Sequence, residues 1–311
     1  MRFAVVGVGG AGGYFGATLA AAGHEVALVA RGEHLAAIRR AGLELARPDG
    51  TITIEPSIAT DDPREVGVVD YVFLGVKAWQ VTEAARAAAP MIGPATAVIP
   101  LQNGVEAAEQ ISAVLGREHA VGATTRIISL IAGPGRIKHV GVEPTLELGE
   151  LDGSRSARLT ELDAVLSATG RIKSVLSADV RVAIWTKFLF ITSWSGVGAV
   201  VRLPVGVIRG VPQTRALVEV AMQEIARVAV AHGIRLPHDA PSMAMSYLDT
   251  MPAQGTTSMQ RDVVEGRPSE MEHLTGAAVR FGKVAGIPTP THCFIYQALV
   301  PHELRARGER P

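Results

Sequence analysis

Short runs of β-branched and aliphatic residues alternate with alanine-rich stretches of helical spacing through the first 176 residues of the chain. This alternation is typical of βαβ units, in which each crossover helix returns the chain to a neighbouring parallel strand. The runs predict strands at residues 2–7, 25–30, 70–76, 95–101 and 119–125, with the first helix at residues 14–22. We therefore expect an α/β fold with a doubly wound parallel sheet at the N-terminus.

Two further pairs of runs predict antiparallel strands. Residues 43–46 and 51–55 flank the turn sequence Pro48-Asp49-Gly50 and are expected to form a hairpin. Residues 135–140 and 145–148 are expected to pair with each other after the last parallel strand. A helix over residues 154–169 and a strand over residues 171–175 complete this half of the chain.

The pattern changes from Asp179 onward, where apolar residues recur at helical spacing in long segments separated by prolines. We therefore predict an all-helical C-terminal domain. A chain of 311 residues with a hydrophobic fraction of 48% is long enough for two cores. We expect the sheet domain to comprise residues 1–177 and the helical domain residues 178–311.

The charge of the chain does not indicate a polyanionic partner, because Lys and Arg number 30, as do Asp and Glu, and no basic block is interleaved with aromatic residues. We therefore expect small-molecule partners rather than nucleic acid or a membrane surface. The single cysteine excludes an internal disulfide and a multi-cysteine metal site, so we expect a cytoplasmic protein without a bound metal. The most apolar later stretch, residues 183–201, contains Lys187 and several polar residues, which favours a buried helix over a membrane span.

The most informative local sequence follows the first predicted strand, where Gly7-Val8-Gly9-Gly10-Ala11-Gly12 fits the pattern G-x-G-x-x-G. Between a strand and a helix, Gly7 permits a tight turn, Gly9 lets backbone N–H groups approach a pyrophosphate, and Gly12 lets the helix lie close to the sheet. These six residues are therefore candidates for cofactor binding in a Rossmann-type domain. A secretory signal is rejected, because six glycines between residues 7 and 16 interrupt the apolar run.

The end of the second strand distinguishes NAD from NADP. An acidic residue at this position bonds the ribose 2′-hydroxyl of NAD, whereas this chain has Arg31, whose guanidinium suits a 2′-phosphate. NADPH is therefore the expected cofactor. The alternative is a surface arginine that the nearby Glu33 neutralises.

Two more polar residues follow later strands, at the sheet edge where open α/β folds bind their ligands. Lys77 follows the strand that ends at residue 76, and Asn103 lies in Gln102-Asn103-Gly104 after the next strand. Both are candidate cofactor contacts. The alternatives are a solvated lysine and a simple Asn-Gly turn, although the flanking strand and helix do not form a hairpin.

In the helical half, Trp185-Thr186-Lys187-Phe188 is expected to bury a lysine among large apolar residues. Lys187, Ile191 and Ser195 fall at positions i, i+4 and i+8 of one helix, on a face that could floor an active site. A desolvated ammonium holds its proton less tightly, which suits a general acid. The alternative is a lysine whose side chain extends to solvent.

Taken together, these motifs resemble those of the ketopantoate reductase (2-dehydropantoate 2-reductase) family over nearly the whole chain. The resemblance is carried by the glycine loop, Lys77-Ala78-Trp79-Gln80, Gln102-Asn103-Gly104, Trp185-x-Lys187, and Thr257-Ser258-Met259-Gln260-Arg261-Asp262 followed by Glu270. It implies NADPH-dependent reduction of a 2-oxo acid, such as 2-dehydropantoate to pantoate in pantothenate biosynthesis. It also implies a substrate bound between the two domains and a homodimer formed through the helical domain.

The resemblance implies roles for individual residues. Lys187 would protonate the developing alkoxide, while Lys77 and Asn103 would line the nicotinamide. Glu270 and Ser258 would hold polar groups of the substrate, which makes Lys187 and Glu270 the candidate catalytic residues. As alternatives, Thr257 or Ser258 caps a helix, since Thr257-x-x-Gln260 fits a capping box, and Glu270 is a first-turn carboxylate.

The chain departs from the family pattern one and two helical turns after the lysine, where the family generally has substrate-binding asparagines. Ile191 and Ser195 stand there instead, and an isoleucine cannot hydrogen-bond a hydroxyl or a carboxylate. A bulkier or less polar 2-oxo acid therefore suits the pocket as well as 2-dehydropantoate does. Two other functions remain as alternatives: a 3-hydroxyacid or 6-phosphogluconate type of dehydrogenase, and a catalytically silent NADP(H)-binding sensor.

Overall fold

A computed structural model of the chain describes residues 1–309, which divide into two compact units. The first unit contains Met1–Gln102 and Glu106–Val180. The second contains Asn103–Val105 and the chain from Arg181 onward. The short loop at Asn103 therefore groups with the helical part of the chain, although it follows a strand of the sheet.

The first unit is an α/β structure. Its strands are β1 (Arg2–Val6), β2 (Glu25–Val29), β3 (Leu43–Arg47), β4 (Gly50–Ile54), β5 (Ile58–Thr60), β6 (Val69–Leu74), β7 (Ile92–Pro100), β8 (Val121–Arg126), β9 (Ser129–Gly133), β10 (Arg136–His139), β11 (Thr145–Glu150) and β12 (Lys173–Leu176). Its helices are α1 (Gly10–Ala21), α2 (Gly32–Ala41), α3 (Val81–Ala88), α4 (Ala107–Leu115) and α5 (Ala157–Ala168).

The main sheet is parallel, with the strand order β5-β2-β1-β6-β7, so the predicted Rossmann-type doubly wound sheet is confirmed. Alternate residues of β1 enter two different buried clusters, Phe3 on one face and Ala4 on the other, because helices cover both faces. The strand order reverses between β1 and β6, whose last residues, Val6 and Leu74, lie side by side. Ligands of open α/β sheets bind at such a switch point.

Two smaller sheets complete the first unit. The predicted hairpin is confirmed as β3 and β4, which join β10 and β9 in a sheet of order β4-β3-β10-β9. The predicted pairing of residues 135–140 with 145–148 is wrong, because β10 pairs with β9 and β3, and β11 pairs with β8 and β12. The fully buried Ile137 of β10 packs on Gly13 of α1, and this contact places β10 beside α1.

The last predicted strand of the parallel sheet is also partly wrong. Ala120 forms a single parallel bridge to Val98 of β7, but β8 then pairs antiparallel with β11. The local sequence indicates a strand correctly and leaves its partner open, because period-2 alternation suits either orientation.

The second unit is helical, as predicted, with α6 (Val180–Val201), α7 (Val205–Gly210), α8 (Pro212–Ala231), α9 (Ala240–Thr250), α10 (Ser258–Val264), α11 (Thr275–Ala285) and α12 (Pro290–Ala306). Trp185 and Phe188 of α6 share one buried cluster with Met222 and Ile225 of α8. Among residues 1–309, α6 is the one helix whose length and mean hydropathy of 1.3 would suit a membrane span. Because 61% of that stretch is buried inside the protein, it fits the predicted core helix.

Candidate cofactor and substrate site

The glycine loop joins β1 to α1 in close contact with the end of β6. Gly7 has a φ of +92°, which favours glycine, and a Cβ there would lie 2.8 Å from the backbone nitrogen of Val76. A Cβ on Gly12 or on Gly75 would overlap the carbonyl oxygen of Gly7. Gly75 is therefore as necessary to this packing as the two predicted glycines. Sequence reasoning missed it because its requirement arises only when β6 lies beside β1.

Gly9 differs from its neighbours because the protein leaves room for a side chain there. The nearest atom to a Cβ on Gly9 would be the carbonyl oxygen of Gly75 at 3.5 Å, an ordinary contact. Internal packing therefore does not require this glycine, whereas a phosphate bound close to the main chain would require it. Gly10, in contrast, is required by packing, since a Cβ there would overlap the carbonyl oxygen of Ser129 in β9.

The N-terminus of α1 carries no side chain that caps it. Gly9 is the N-cap residue, and the first turn contains no acidic side chain. The first N–H groups of a helix have no partner within the helix, and the helix dipole favours an anion beside them. Val8 is buried and Ala11 half-buried, so these two residues offer main chain rather than side chains. The loop and α1 thus fit the pyrophosphate of a dinucleotide.

Arg31 lies just beyond β2, where its exposed side chain stands at the N-cap of α2. In the part of the chain that the structure describes, Arg31 and Glu33 do not form an ion pair with each other. No side chain caps α2, so its first N–H groups add to the anion-binding capacity at this position. One residue past Glu33, the half-buried His34 accepts a hydrogen bond from Gly135 N at 3.0 Å, and burial lowers the pKa of its ring.

Lys77 is half-buried beyond the end of β6, with its Nζ 5.8 Å from the centre of the Trp79 ring. Gln102 fixes this segment, because its side-chain amide donates to Leu74 O at 2.7 Å and to Val76 O at 2.9 Å. Gln102 is 8% exposed and joins the carboxyl ends of β6 and β7. Sequence reasoning had treated it only as the neighbour of Asn103, and its strand-end position was the available signal.

In the second unit, the loop that contains Asn103 packs on the turn that follows Glu270. Gly104 has a φ of +100°, and a Cβ there would lie 3.0 Å from His273 O. Glu270 is 7% exposed, and its carbonyl accepts from His273 N and Leu274 N, both at 3.0 Å. The turn is a short 3-10 helix, Met271–His273, so the alternative in which Glu270 occupies the first turn of an α-helix is wrong.

The three candidates on α6 differ in burial: Lys187 and Ile191 are half-buried, and Ser195 is fully buried. The expectation that Lys187 is itself buried among apolar residues is wrong. Each helix residue turns the chain by about 100°, so the turn that places Trp185 and Phe188 in the core directs Lys187 to its margin. Trp185 packs against His232 and Phe281, which anchors this part of α6.

The interior of α6 also carries hydrogen-bonding groups that the protein does not use. Within residues 1–309, the hydroxyls of Thr192, Ser193 and Ser195 have no hydrogen-bond partner. A buried hydroxyl left unpaired costs about 1–3 kcal/mol. The buried region around Ser195 therefore contains unpaired polar groups.

Ser258 is the first residue of α10 and is half-buried. The cap is Thr257, whose Oγ1 accepts from Gln260 N at 3.1 Å. The side chain of Gln260 donates to Leu203 O at 2.9 Å instead of returning to Thr257 N, so the capping box is half formed. The helix-cap alternative thus applies to Thr257 and not to Ser258.

A parallel sheet with a glycine loop at its switch point, followed in the chain by an all-helical unit, defines a Rossmann-type dinucleotide-binding protein. Family models narrow this class further. The model described as ketopantoate reductase PanE/ApbA matches residues 3–153, and the model for the C-terminal part of the same family matches residues 179–303. A 2-dehydropantoate 2-reductase of Mesorhizobium japonicum is 31% identical over 312 residues, which cover 94% of either chain.

Solved structures agree with these matches. A PanE/ApbA family ketopantoate reductase from Ralstonia eutropha JMP134 has a TM-score of 0.90 at 31% identity, with 99% of this chain and 100% of that chain covered. A D-mandelate dehydrogenase determined with NADH and anilino(oxo)acetate has a TM-score of 0.89 at 24% identity over 99% and 100% of the two chains, and shares the fold. The chain belongs to the ketopantoate reductase family. It is accordingly an oxidoreductase that acts on a CH–OH group with a nicotinamide cofactor.

Proposed function

We propose that this enzyme uses NADPH to reduce a 2-oxo acid to the 2-hydroxy acid, with 2-dehydropantoate or a less polar 2-oxo acid as substrate. The observation that carries the proposal is the glycine loop, in which Gly9 keeps a space that the protein does not fill, beside the uncapped N-terminus of α1. Membership of the ketopantoate reductase family supports the class of substrate.

The preference for NADPH rests on the end of β2. NADPH supplies the hydride when it is bound. Arg31 and the uncapped start of α2 offer a guanidinium and backbone N–H groups to the 2′-phosphate, and no acidic side chain stands at the Arg31 position to receive the 2′-hydroxyl of NADH. Lys77 and Asn103, at or near the carboxyl ends of β6 and β7, are the proposed contacts to the nicotinamide end.

Lys187 is the proposed proton donor. Its side chain is half-buried, so the ammonium group keeps access to an incoming substrate while Trp185 and Phe188 hold the helix in place. The ketone oxygen gains negative charge as hydride reaches the carbon, and a positioned ammonium gives that oxygen a proton. Glu270 and Ser258 are proposed to hold the polar groups of the substrate.

The identity of the 2-oxo acid depends on Ile191 and Ser195. Ile191 offers no hydrogen bond to a substrate hydroxyl, and the Ser195 hydroxyl is enclosed. A hydroxyl group on the substrate that loses its partner costs about 1–3 kcal/mol. We therefore propose that this pocket suits a less polar 2-oxo acid at least as well as 2-dehydropantoate.

A panel of 2-oxo acids, assayed by the loss of NADPH absorbance, tests the proposal. We expect turnover with at least one member of the panel. An NADP(H)-binding sensor would bind the cofactor and turn over none of them. A 3-hydroxyacid dehydrogenase would instead oxidise 3-hydroxyacids in the reverse assay and leave 2-hydroxyacids unchanged.

A further inference from the structure

The residue that precedes Glu270 is held by Glu303, a buried acid on the last helix, and by Arg307, an exposed base that follows this helix. Glu303 of α12, 7% exposed, accepts from Ser269 N at 3.1 Å and from Ser269 Oγ at 2.6 Å. Arg307, one turn later, donates to Glu303 at 2.8 Å and to Ser269 O at 3.3 Å. The N–H, the hydroxyl and the carbonyl of Ser269 are thus all bound by this pair.

The hydrogen bonds of Ser269 also reach the residue that follows Glu270. The Ser269 hydroxyl also accepts from Met271 N at 3.3 Å, so it bridges the two residues on either side of Glu270. On its C-terminal side, Glu270 is closed into the 3-10 turn by the bonds from His273 N and Leu274 N. The main chain of Glu270 is therefore fixed from both sides, once through α12 and once through its own turn.

Stability alone does not account for a buried carboxylate at this position. Taking the Glu303 carboxylate out of water is costly, and a buried charge with its partner is often no more stabilising than apolar residues of the same volume. The second unit has another buried carboxylate for comparison, Glu224, which accepts from Thr291 N at 2.8 Å and His292 N at 3.1 Å. Glu224 caps the start of α12, whereas Glu303 binds a segment that starts no α-helix and leads directly into Glu270.

We propose that Glu303, acting through Ser269, is a positioning residue that holds the main chain of Glu270 so that its carboxylate meets the substrate in a single orientation. The inference rests on the proposed role of Glu270. A misplacement of about 1 Å in a group that holds the substrate costs about a hundredfold in rate. The network thus affects catalysis without contact between Glu303 and the substrate.

Two variants break the network at different points. Ser269→Ala removes the hydroxyl that joins Glu303 to Met271, and Glu303→Gln removes one acceptor oxygen. Each is expected to lower kcat/KM for the 2-oxo acid about tenfold to a hundredfold and to leave the Kd for NADPH within about twofold of wild type. Glu224→Gln is the matched control, because it alters the other buried carboxylate that caps main-chain N–H groups, and it should lower the melting temperature without that loss of kcat/KM.

A double-mutant cycle with Glu270→Gln separates positioning from general damage. Once the Glu270 carboxylate is gone, its position no longer matters, so adding Ser269→Ala to Glu270→Gln should change kcat/KM by less than about twofold. Equal losses from Ser269→Ala in both backgrounds would overturn the proposal. If Glu303→Gln fails to fold, the Ser269→Ala cycle alone decides.

The design also separates this inference from the proposed function. If the Glu270→Gln variant keeps the wild-type kcat/KM, Glu270 is not part of the site, and the positioning role of Glu303 is overturned as well. A large loss in Glu270→Gln together with an unchanged Ser269→Ala variant would keep the proposed function and overturn only the role of Glu303.

Discussion

We expect Arg31 to decide between two cofactors that differ by a single phosphate. We expect Arg31→Ala to weaken NADPH binding about tenfold to a hundredfold and to leave NADH binding nearly unchanged, because a charge-assisted hydrogen bond is worth about 1.5–3 kcal/mol. Titration of both cofactors measures the effect. Arg40→Ala, at an exposed arginine in the last turn of the same helix, is the control and should leave both affinities unchanged. Equal binding of NADPH and NADH by wild type would contradict this role of Arg31.

We expect turnover to depend on Lys187, the proposed proton donor. Lys187→Ala should bind NADPH with wild-type affinity and lose about 10²–10⁴ in kcat, because a positioned general acid contributes that much. Stopped-flow or steady-state assays with the best 2-oxo acid give kcat, and Lys283→Ala, at an exposed lysine of α11, controls for loss of positive charge. Near-normal turnover in Lys187→Ala would show that the proton comes from another group.

At the scale of residues, the sequence predicts which chemical groups a site contains better than it predicts the burial and the contacts of those groups. The glycine loop was recognisable because its pattern lies within six consecutive residues. Gly75 and Gln102 were not recognisable, because their contacts join residues that are far apart in the chain. Gly75 contacts Gly7, and Gln102 contacts Leu74. The partial exposure of Lys187 likewise depends on which face of α6 packs into the core, and the apolar character of the neighbouring residues does not by itself indicate that face.

At the scale of structural elements, the loop from β1 to α1 allows a direct test of which glycine is required for internal packing and which is required for cofactor binding. A Cβ at Gly12 would overlap Gly7 O, whereas a Cβ at Gly9 has room. Gly12→Ala should therefore lower the melting temperature. Gly9→Ala should keep the wild-type melting temperature and weaken NADPH binding, because the methyl group occupies space needed by the pyrophosphate. Calorimetry measures the melting temperatures, and titration measures the affinity for NADPH. A Gly9→Ala protein that binds NADPH with wild-type affinity would show that Gly9 is not part of the site.

The junction of β11 with α5 is expected to make the stability of the protein depend on pH. Burial raises the pKa of Glu150, but hydrogen bonds from Arg158 at 2.7 and 2.8 Å and from Ser156 outweigh it and hold that pKa below its ordinary value. A depressed carboxyl pKa stabilises the folded state above the pKa of the unfolded chain, and this contribution is lost as the pH falls through the folded pKa.

We therefore expect the difference in unfolding free energy between wild type and Glu150→Gln to shrink when urea denaturation at about pH 7 is repeated at about pH 3. Glu143→Gln, at an exposed carboxylate in the loop before β11, should show no such change. A difference that stays constant over this pH range would contradict the role of the Glu150–Arg158 pair.

Strands and helices were predicted more reliably than their pairing. The parallel strands β1, β2, β6 and β7 lie within a few residues of their predicted positions, because buried parallel strands are near-continuous apolar runs. The pairing of β10 and β11 was predicted wrongly, since neighbours in the chain are not always neighbours in a sheet. The choice depends on packing such as that of Ile137 on α1, which has no local signal.

For the whole molecule, the order of motifs carried more information than any single motif. The glycine loop indicates a dinucleotide, but Asn103, Lys187 and Glu270 gain meaning only through their order and spacing, which resemble those of the family whose models match residues 3–153 and 179–303. The substrate is less predictable from that match, because we expect it to depend on Ile191 and Ser195, where the sequence predicts a departure from the family pattern.

The central claim, an NADPH-dependent 2-oxo acid reductase with an altered pocket, is tested most directly by one ratio. That ratio is kcat/KM for 2-dehydropantoate divided by kcat/KM for a less polar 2-oxo acid, measured with NADPH for wild type and for Ile191→Asn combined with Ser195→Asn. It reports the differential binding of the two transition states. We expect wild type to favour the less polar acid and the double variant to shift toward 2-dehydropantoate by about tenfold, as one regained hydrogen bond implies. A wild-type enzyme that already favours 2-dehydropantoate, with no shift in the double variant, would contradict the account.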